Sequence, residues 1–154
     1  DSFWQEKFKN MIVSNYKKSP YFNQYIEFIL HLSLYDEMNI SKYNCHIIKE
    51  LCSFLDIKKN HFILGSQLEL EDVNATDLLI DMVKKTQGNT YLCGGGASGY
   101  QEDENFQKAS LKLRYQNFKH PKYKQYGDEF VSGLSILDVL FFVGKDKTKE
   151  LIKG

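Results

Sequence analysis

Residues 90–99 read Thr-Tyr-Leu-Cys-Gly-Gly-Gly-Ala-Ser-Gly, a short apolar run that leads into a loop of glycines. The run predicts a β-strand, because it is short, contains β-branched and aromatic side chains and is bounded by turn-forming residues. The loop has the spacing Gly-x-Gly-x-x-Gly and precedes residues 101–108, which predict a short helix. A strand, a glycine loop and a helix in this order indicate an α/β fold, and the backbone N–H groups of such a loop can approach a phosphate.

Two further strands are predicted on either side of this segment. Residues 61–64, His-Phe-Ile-Leu, form a short apolar run, and residues 111–115 alternate in polarity. Residues 74–86 predict a helix with one apolar face between the first two strands. Because crossovers between parallel strands are right-handed and usually join neighbours, we predict a small three-stranded parallel sheet with crossover helices.

Three helices in series are predicted before the sheet, over residues 1–57. Ser2 fits the cap of the first helix, Pro20 fits the first turn of the second, and the third begins near Ser41. Each carries apolar residues at helical spacing, so we expect these helices to pack together.

A last helix is predicted after the sheet. It spans residues 135–143, and Gly144 fits its end. We therefore expect an α/β fold in one domain, residues 1–154, of which residues 1–57 are helical and residues 58–154 are α/β.

The composition narrows the classes of function. The formal net charge is zero, so no broad basic surface indicates a nucleic-acid partner. No apolar run approaches the roughly 18 residues of a membrane-spanning helix, so we expect no membrane insertion and a cytoplasmic protein. The three cysteines form no Cys-x-x-Cys pair, and His31, His46 and His61 lack metal-ligand spacing. We therefore expect neither a bound metal nor a cofactor, which disfavours a metal-dependent hydrolase.

The glycine loop is open to more than one interpretation. Glu102, Asp103 and Glu104 follow it and would repel a phosphate at the start of the next helix. No acidic residue lies about 20 positions further on, where a dinucleotide site needs one for the ribose. A NAD(P) site is therefore disfavoured. Backbone contact with a phosphate or sugar, as in a nucleotide-sugar, stays open beside a purely structural strand-to-helix turn.

Residues 115–126 form a polar loop that is rich in aromatic and amide side chains. It follows the carboxyl end of a predicted strand, where ligands bind in open parallel sheets, and the glycine loop leaves the sheet at the same edge. Aromatic rings stack on sugars or bases, and amides hydrogen-bond to hydroxyls. His120 is the group in this loop whose pKa suits acid–base chemistry, and Pro121 would hold it extended. Alternatively, the loop is structural and His120 bonds a backbone carbonyl.

Asp138 also has two interpretations. With Ser135 it fits the start of the last helix, where a short polar side chain caps free N–H groups. It could instead face the predicted site and hydrogen-bond to His120. Ser66, just after the first predicted strand, lies at the same predicted sheet edge and is a weaker candidate.

Four segments resemble, in order and spacing, motifs of the WbqC-like protein family. They are residues 16–22, similar to Tyr-Lys-x-x-Pro-Tyr-Phe; residues 91–100, similar to Tyr-Leu-Ser-Gly-x-Gly-Ala-x-x-Tyr; residues 115–125, similar to Tyr-Gln…His-Pro-x-Tyr-x-Gln; and residues 134–141, similar to Leu-Ser-Ile-x-Asp-Leu-Leu-Phe. Cys93, Gly95 and Phe142 stand where the family usually has Ser, Pro and Asn. Together the four segments extend along essentially the whole chain.

The resemblance implies a role in bacterial surface polysaccharides. Family members are associated with the biosynthesis of O-antigen and other glycans, and one implied role is acyl or aminoacyl transfer to a nucleotide-linked amino sugar. The family pattern also has an N-terminal portion with a His-Gln-Pro-x-Tyr-Leu-Pro-Trp run, which this sequence lacks. We therefore expect the chain to be the C-terminal part of a WbqC-like protein.

These observations give a candidate site for a small-molecule substrate such as a nucleotide-sugar. His120 is the predicted base and Asp138 the second predicted catalytic group. The predicted substrate-binding residues are Gly94, Gly96, Ala97, Tyr100, Tyr115, Gln116, Tyr123, Gln125 and Ser135. The alternative is a non-catalytic protein that binds a glycan or a partner in polysaccharide assembly.

Overall fold

The computed structural model describes residues 3–57, 62–73, 75–95 and 102–153. The chain packs as two compact units. The helical unit contains residues 1–60 and 120–154, and the α/β unit contains residues 61–119. The expectation of a single domain stays a prediction. Among the described residues, no helix combines the length and the apolar character needed to cross a membrane.

The helical unit contains the three predicted N-terminal helices and the last helix. Its elements are α1 (Trp4–Tyr16), α2 (Phe22–Ser33), α3 (Ile40–Phe54) and, after the α/β unit, a long helix, Ile136–Lys153. The predicted cap of α1, Ser2, lies outside the described residues. The cap of α3 is Asn39, whose side-chain oxygen accepts a hydrogen bond from the Lys42 backbone N–H at 3.1 Å. This cap starts α3 within one residue of the predicted position.

The core of the helical unit is aliphatic and aromatic. Its buried members are Ile12, Tyr25, Ile29, Leu55, Leu140 and Phe141. The Tyr16 ring stacks on the Phe141 ring with 4.8 Å between centroids, which joins the end of α1 to the last helix. Apolar burial of this kind is the main stabilising contribution in a small unit.

The helix Ile136–Lys153 is interrupted at Gly144, where the sequence predicts a helix end. Gly144 has φ 77° and ψ 173°, outside the helical region, and helical residues continue on its far side. The break frees the Lys145 backbone N–H, which donates to the Tyr25 hydroxyl at 2.9 Å. The buried Thr148 hydroxyl donates to the Gly144 carbonyl at 2.7 Å. Buried side chains thus replace the backbone hydrogen bonds that the break removes.

The α/β unit contains a helix, a strand, a short helix and a second strand. After a 3-10 turn at Gly65–Gln67, the elements are α4 (Ala75–Lys85), β1 (Thr90–Gly94), α5 (Asp103–Lys108) and β2 (Lys112–Gln116). We number the long last helix of the helical unit α6. The two strands pair in parallel, with Thr90 opposite Lys112 and Gly94 opposite Gln116. The α/β class and the parallel pairing agree with the sequence prediction.

The prediction of three strands is wrong, because the sheet of the described residues has two. His61 lies outside the described residues, and residues 62–64 are not in a strand. The chain turns directly into the 3-10 turn, where the Gln67 backbone N–H donates to the Leu64 carbonyl at 2.9 Å. Ile63 lines an apolar cavity with Leu79 and Val83 of α4. A short apolar run looks the same in sequence whether it pairs in a sheet or packs beside a helix.

We predict that Gly144→Ala lowers the free energy of unfolding by about 2–3 kcal/mol, measured by urea denaturation. A Cβ at this position would lie 2.8 Å from Cε1 of Tyr21, in a backbone conformation that side chains rarely adopt. Gly133→Ala is the matched control, because Gly133 also has a positive φ of 75° but no atom within 4 Å of a built Cβ. An equal loss in both variants would show that the contact with Tyr21 contributes nothing.

Candidate functional site

A buried carboxylate lies at the start of α6 and collects hydrogen bonds from the polar loop. Asp138 is 4% exposed. Its Oδ2 accepts a hydrogen bond from the Tyr123 hydroxyl at 2.6 Å and one from the Gln125 side-chain amide at 3.1 Å. Because a buried charge is costly unless donors surround it, these contacts hold the loop against α6.

Tyr16, at the end of α1, is the third group beside this carboxylate. Burial raises the pKa of Tyr16 to about 12, and the charge of Asp138 and a hydrogen bond with it add to the rise. Burial likewise raises the pKa of Tyr123 to about 12, and the hydrogen bond with Asp138 is the second cause of the rise. Both phenols therefore keep their protons at neutral pH and can serve as donors. We call Tyr16, Tyr123, Gln125 and Asp138 the Asp138 cluster.

Gln125 also closes the loop on itself. Its Oε1 accepts a hydrogen bond from the Val131 backbone N–H at 2.8 Å, and its Nε2 donates to the Val131 carbonyl at 3.0 Å. The same Nε2 lies 3.1 Å from the Tyr123 hydroxyl. An amide has two hydrogens, so its contacts with Val131, Tyr123 and Asp138 share them. The side chain thereby fixes residues 125–131 as one turn attached to α6.

Ser135 provides the cap that the sequence also allowed for Asp138. The Ser135 hydroxyl oxygen accepts a hydrogen bond from the Leu137 backbone N–H at 3.3 Å. The Ser135 carbonyl accepts one from the Asp138 backbone N–H at 2.9 Å. With the first turn of α6 held in this way, the Asp138 carboxylate reaches Tyr123 and Gln125. The predicted role of Ser135 in substrate binding stays a prediction.

His120 is exposed, whereas Asp138 is buried. Tyr123, three residues after His120, is the nearest residue of the Asp138 cluster along the chain. The catalytic roles predicted for His120 and Asp138, and their direct hydrogen bond, stay predictions. What the geometry supplies is a rigid attachment for the loop that carries His120.

In the α/β unit, the carboxyl ends of the two strands form an edge that we call the sheet edge. The register places Gly94 beside Gln116. A Cβ on Gly95 would lie 3.8 Å from the Gln116 carbonyl, so the start of the glycine loop runs next to the end of β2. Gly96, Ala97 and Tyr100, three of the predicted substrate-binding residues, lie outside the described residues.

Two side-chain contacts define the surroundings of the sheet edge. The Tyr115 hydroxyl donates to Asp103 Oδ1 at 2.7 Å, which ties β2 to the start of α5. The Thr76 hydroxyl accepts a hydrogen bond from the Glu102 backbone N–H at 2.9 Å, which anchors the chain just before α5. A cavity of about 420 Å³ lies along β2 and α5, lined by Asp103, Gln107, Leu111, Lys112, Leu113, Arg114 and Tyr115. Its lining thus carries both signs of charge.

Comparison with known proteins identifies the family. Residues 1–150 match the WbqC-like protein family. The chain belongs to this family. It is 24% identical over 145 residues to Uncharacterized protein Rv1507c of Mycobacterium tuberculosis, an alignment that covers 93% of this chain and 62% of that protein. The chain thus spans less than two-thirds of the length of that relative. No solved structure matches the present chain significantly.

The family match confirms the resemblance drawn from the four motifs, and the fold of this chain brings three of them together. Tyr16 belongs to the first motif, Tyr123 and Gln125 to the third, and Asp138 to the fourth. Segments that are far apart in the sequence therefore meet at one carboxylate. The other motif, residues 91–100, begins in β1 and continues outside the described residues.

Tyr16 and Asp103 were not among the predicted site residues. Tyr16 lies in the first motif, and that motif was the available signal. Asp103 was recognised only as an obstacle to phosphate, and nothing in the sequence indicated its hydrogen bond with Tyr115.

Within the described ranges, no group of three or more His, Cys, Asp or Glu side chains is arranged to hold a metal ion. His46 instead stacks on Tyr35, with 3.9 Å between ring centroids.

We predict that Tyr123 ionises near pH 12 in the folded protein, against about 10 for a free phenol. Tyrosinate absorbance of the wild type minus that of Tyr123→Phe measures this. Because the folded pKa is raised, the contribution of Tyr123 to stability is complete below pH 10 and is lost as the pH rises towards 12.

Asp138→Asn removes one cause of the raised pKa, so the midpoint of Tyr123 should fall but stay above 10, since burial is the larger cause. Tyr43 is the control, because its pKa is raised by burial and should not respond. If the titration midpoint of Tyr123 is the same in Asp138→Asn as in the wild type, the described cluster is contradicted.

Proposed function

We propose that this WbqC-like protein is a transferase of bacterial surface-polysaccharide (O-antigen) biosynthesis that acts on a nucleotide-linked amino sugar. We expect it to work in the cytoplasm and to move an acyl or aminoacyl group. The observation that carries the proposal is the parallel register, which brings Gly94 and Gln116 together at the sheet edge. Ligands of open parallel sheets bind outside the carboxyl ends of the strands.

The charges beside the sheet edge support a ligand with groups of both signs. Arg114, two residues before the end of β2, is exposed and suits a diphosphate. Asp103 and the Tyr115 hydroxyl suit sugar hydroxyls or an amine, because they combine an acceptor and a donor. A nucleotide-linked amino sugar carries both kinds of group, and the cavity of about 420 Å³ is within the size range of small-molecule sites.

In the proposed reaction, the sugar amine attacks the carbonyl carbon of an activated acyl donor. The nitrogen–carbon bond forms, the bond from the carbonyl carbon to the donor's leaving group breaks, and the amine loses a proton. We propose His120 as the base that takes this proton, because an imidazole side chain is a common general base in enzymes. We propose Asp138 as a positioning residue, which holds Tyr123 and hence the loop.

A second candidate function is non-catalytic binding of a glycan or partner. The burial of Asp138 and its hydrogen bonds with Tyr123 and Gln125 are compatible with it, because they fix the shape of the loop for binding and require no proton transfer. The two functions differ in turnover and agree in ligand binding.

We predict that uridine- or thymidine-diphosphate amino sugars stabilise the protein, by about 2.7 kcal/mol at a hundredfold excess over Kd. Thermal unfolding measures this. Gln116→Ala, which removes a hydrogen-bonding amide, and Asp103→Asn, which removes a negative charge, should each weaken binding at least tenfold. If no nucleotide-sugar binds, the proposal is wrong.

The His120→Ala variant separates the two functions. A transferase should keep its nucleotide-sugar affinity and lose roughly 10²–10⁴-fold in turnover, as expected for a general base. His31→Ala is the matched control, an exposed histidine on α2 outside the polar loop. Binding without turnover in the wild type supports the non-catalytic function, and equal turnover in wild type and His120→Ala excludes His120 as the base.

A further inference from the structure

The helical unit contains a cavity of about 160 Å³ where its helices meet. All four helices of the unit contribute to its wall, together with the residue before α6. The lining residues are Phe8, Ile29, Leu32, Ser33, Tyr43, Ile47, Leu51, Ser135, Ile136 and Leu137. Helix packing normally fills such a junction with side chains, so a space of this size is a feature of the fold that requires an explanation.

The chemistry of the wall selects an uncharged apolar occupant. Among the described residues that line the cavity, none has a charged side chain. Two of the three lining hydroxyls already donate within the protein: Ser33 to the Leu30 carbonyl at 3.0 Å and Tyr43 to the Ser33 carbonyl at 2.9 Å. A phosphate or sugar placed here would lose its hydration without gaining comparable hydrogen bonds. A hydrocarbon group has no hydrogen bonds with water to lose, and it would gain contact with aliphatic side chains.

The burial of the wall gives the cavity a floor and a mouth. Ile29, Leu32 and Ser33 are 2%, 3% and 5% exposed and form the floor. Ser135 is exposed and marks the mouth, where its hydroxyl oxygen already accepts the Leu137 backbone N–H. An occupant would therefore place an apolar end against α2 and a polar end towards solvent beside the start of α6.

The volume limits the length of the occupant. An engineered apolar cavity of about 150 Å³ holds a benzene molecule, so the present cavity has room for roughly six carbon atoms. We propose that it binds the hydrocarbon part of a short acyl chain of about this length, with the carbonyl at the mouth. The choice of an acyl chain among apolar groups rests on the proposed transferase function, which needs an acyl donor; the apolar character of the site does not.

Titration calorimetry with S-acyl-N-acetylcysteamine thioesters of two to ten acyl carbons tests the proposal. These probes are neutral and differ only in chain length. Each added CH₂ that enters the cavity should tighten binding about fourfold, from about 0.8 kcal/mol per buried CH₂. The gain should stop near six carbons, where the cavity is full. Affinity that does not depend on chain length would overturn the proposal.

Two neighbouring positions on α3 give a matched pair of variants. Leu51→Phe adds volume inside the cavity and should weaken binding of the hexanoyl probe at least tenfold. Ile48→Phe makes a comparable change on the same helix at a residue that is 50% exposed and not part of the wall, so it should bind like the wild type. Equal losses in both variants would contradict a site in this cavity.

Ile47→Ala provides a second readout if Leu51→Phe does not fold. It enlarges the cavity, so the chain length of tightest binding should increase by about two carbons. An unchanged optimum would exclude Ile47 from the site. These measurements use no nucleotide-sugar, so if the thioesters fail to bind, the sheet-edge proposal still stands. If nucleotide-sugars fail to bind, the chain-length series still tests whether this cavity is an apolar site.

Discussion

The Asp138 carboxylate is the point on which the order of the polar loop depends. Burying a charge costs several kcal/mol unless donors replace water, and here the donors come from Tyr123 and Gln125 of the loop and from Tyr16 of α1. Each donor is therefore held by the cost of leaving the carboxylate unsatisfied. Gln125 extends the effect to Val131, so that one buried charge fixes a segment with no regular secondary structure of its own.

The α/β unit depends on a different constraint, the pairing of its two strands. A parallel pair requires a crossover, and the six residues of α5 are the helical part of it. The Tyr91 ring stacks on the Phe106 ring, with 5.4 Å between centroids, and Phe106 is fully buried. This packing holds α5 on one face of the strands and leaves their carboxyl ends exposed. The site proposed there follows from the same geometry that stabilises the unit.

The sequence predicted the helices well because their apolar spacing and their breaks at Pro20 and Gly144 are local signals. The order of strand, glycine loop, helix and strand likewise predicted that β1 and β2 are neighbours. It failed at residues 62–64, because pairing in a sheet depends on distant partners that a short apolar run does not specify. The site shows the same division: motif positions such as Tyr123 and Asp138 could be named, whereas the hydrogen bond that joins them could not be derived from spacing.

A double-mutant cycle between Tyr123→Phe and Asp138→Asn tests the central role of the carboxylate most directly. Urea denaturation of the wild type, both single variants and the double variant gives the coupling energy. We predict a coupling of about 1–2 kcal/mol, as expected for a charge-assisted hydrogen bond. The cycle of Tyr43→Phe with Asp138→Asn should be additive, since Tyr43 donates to Ser33. Additivity within about 0.5 kcal/mol for Tyr123 and Asp138 would contradict the account.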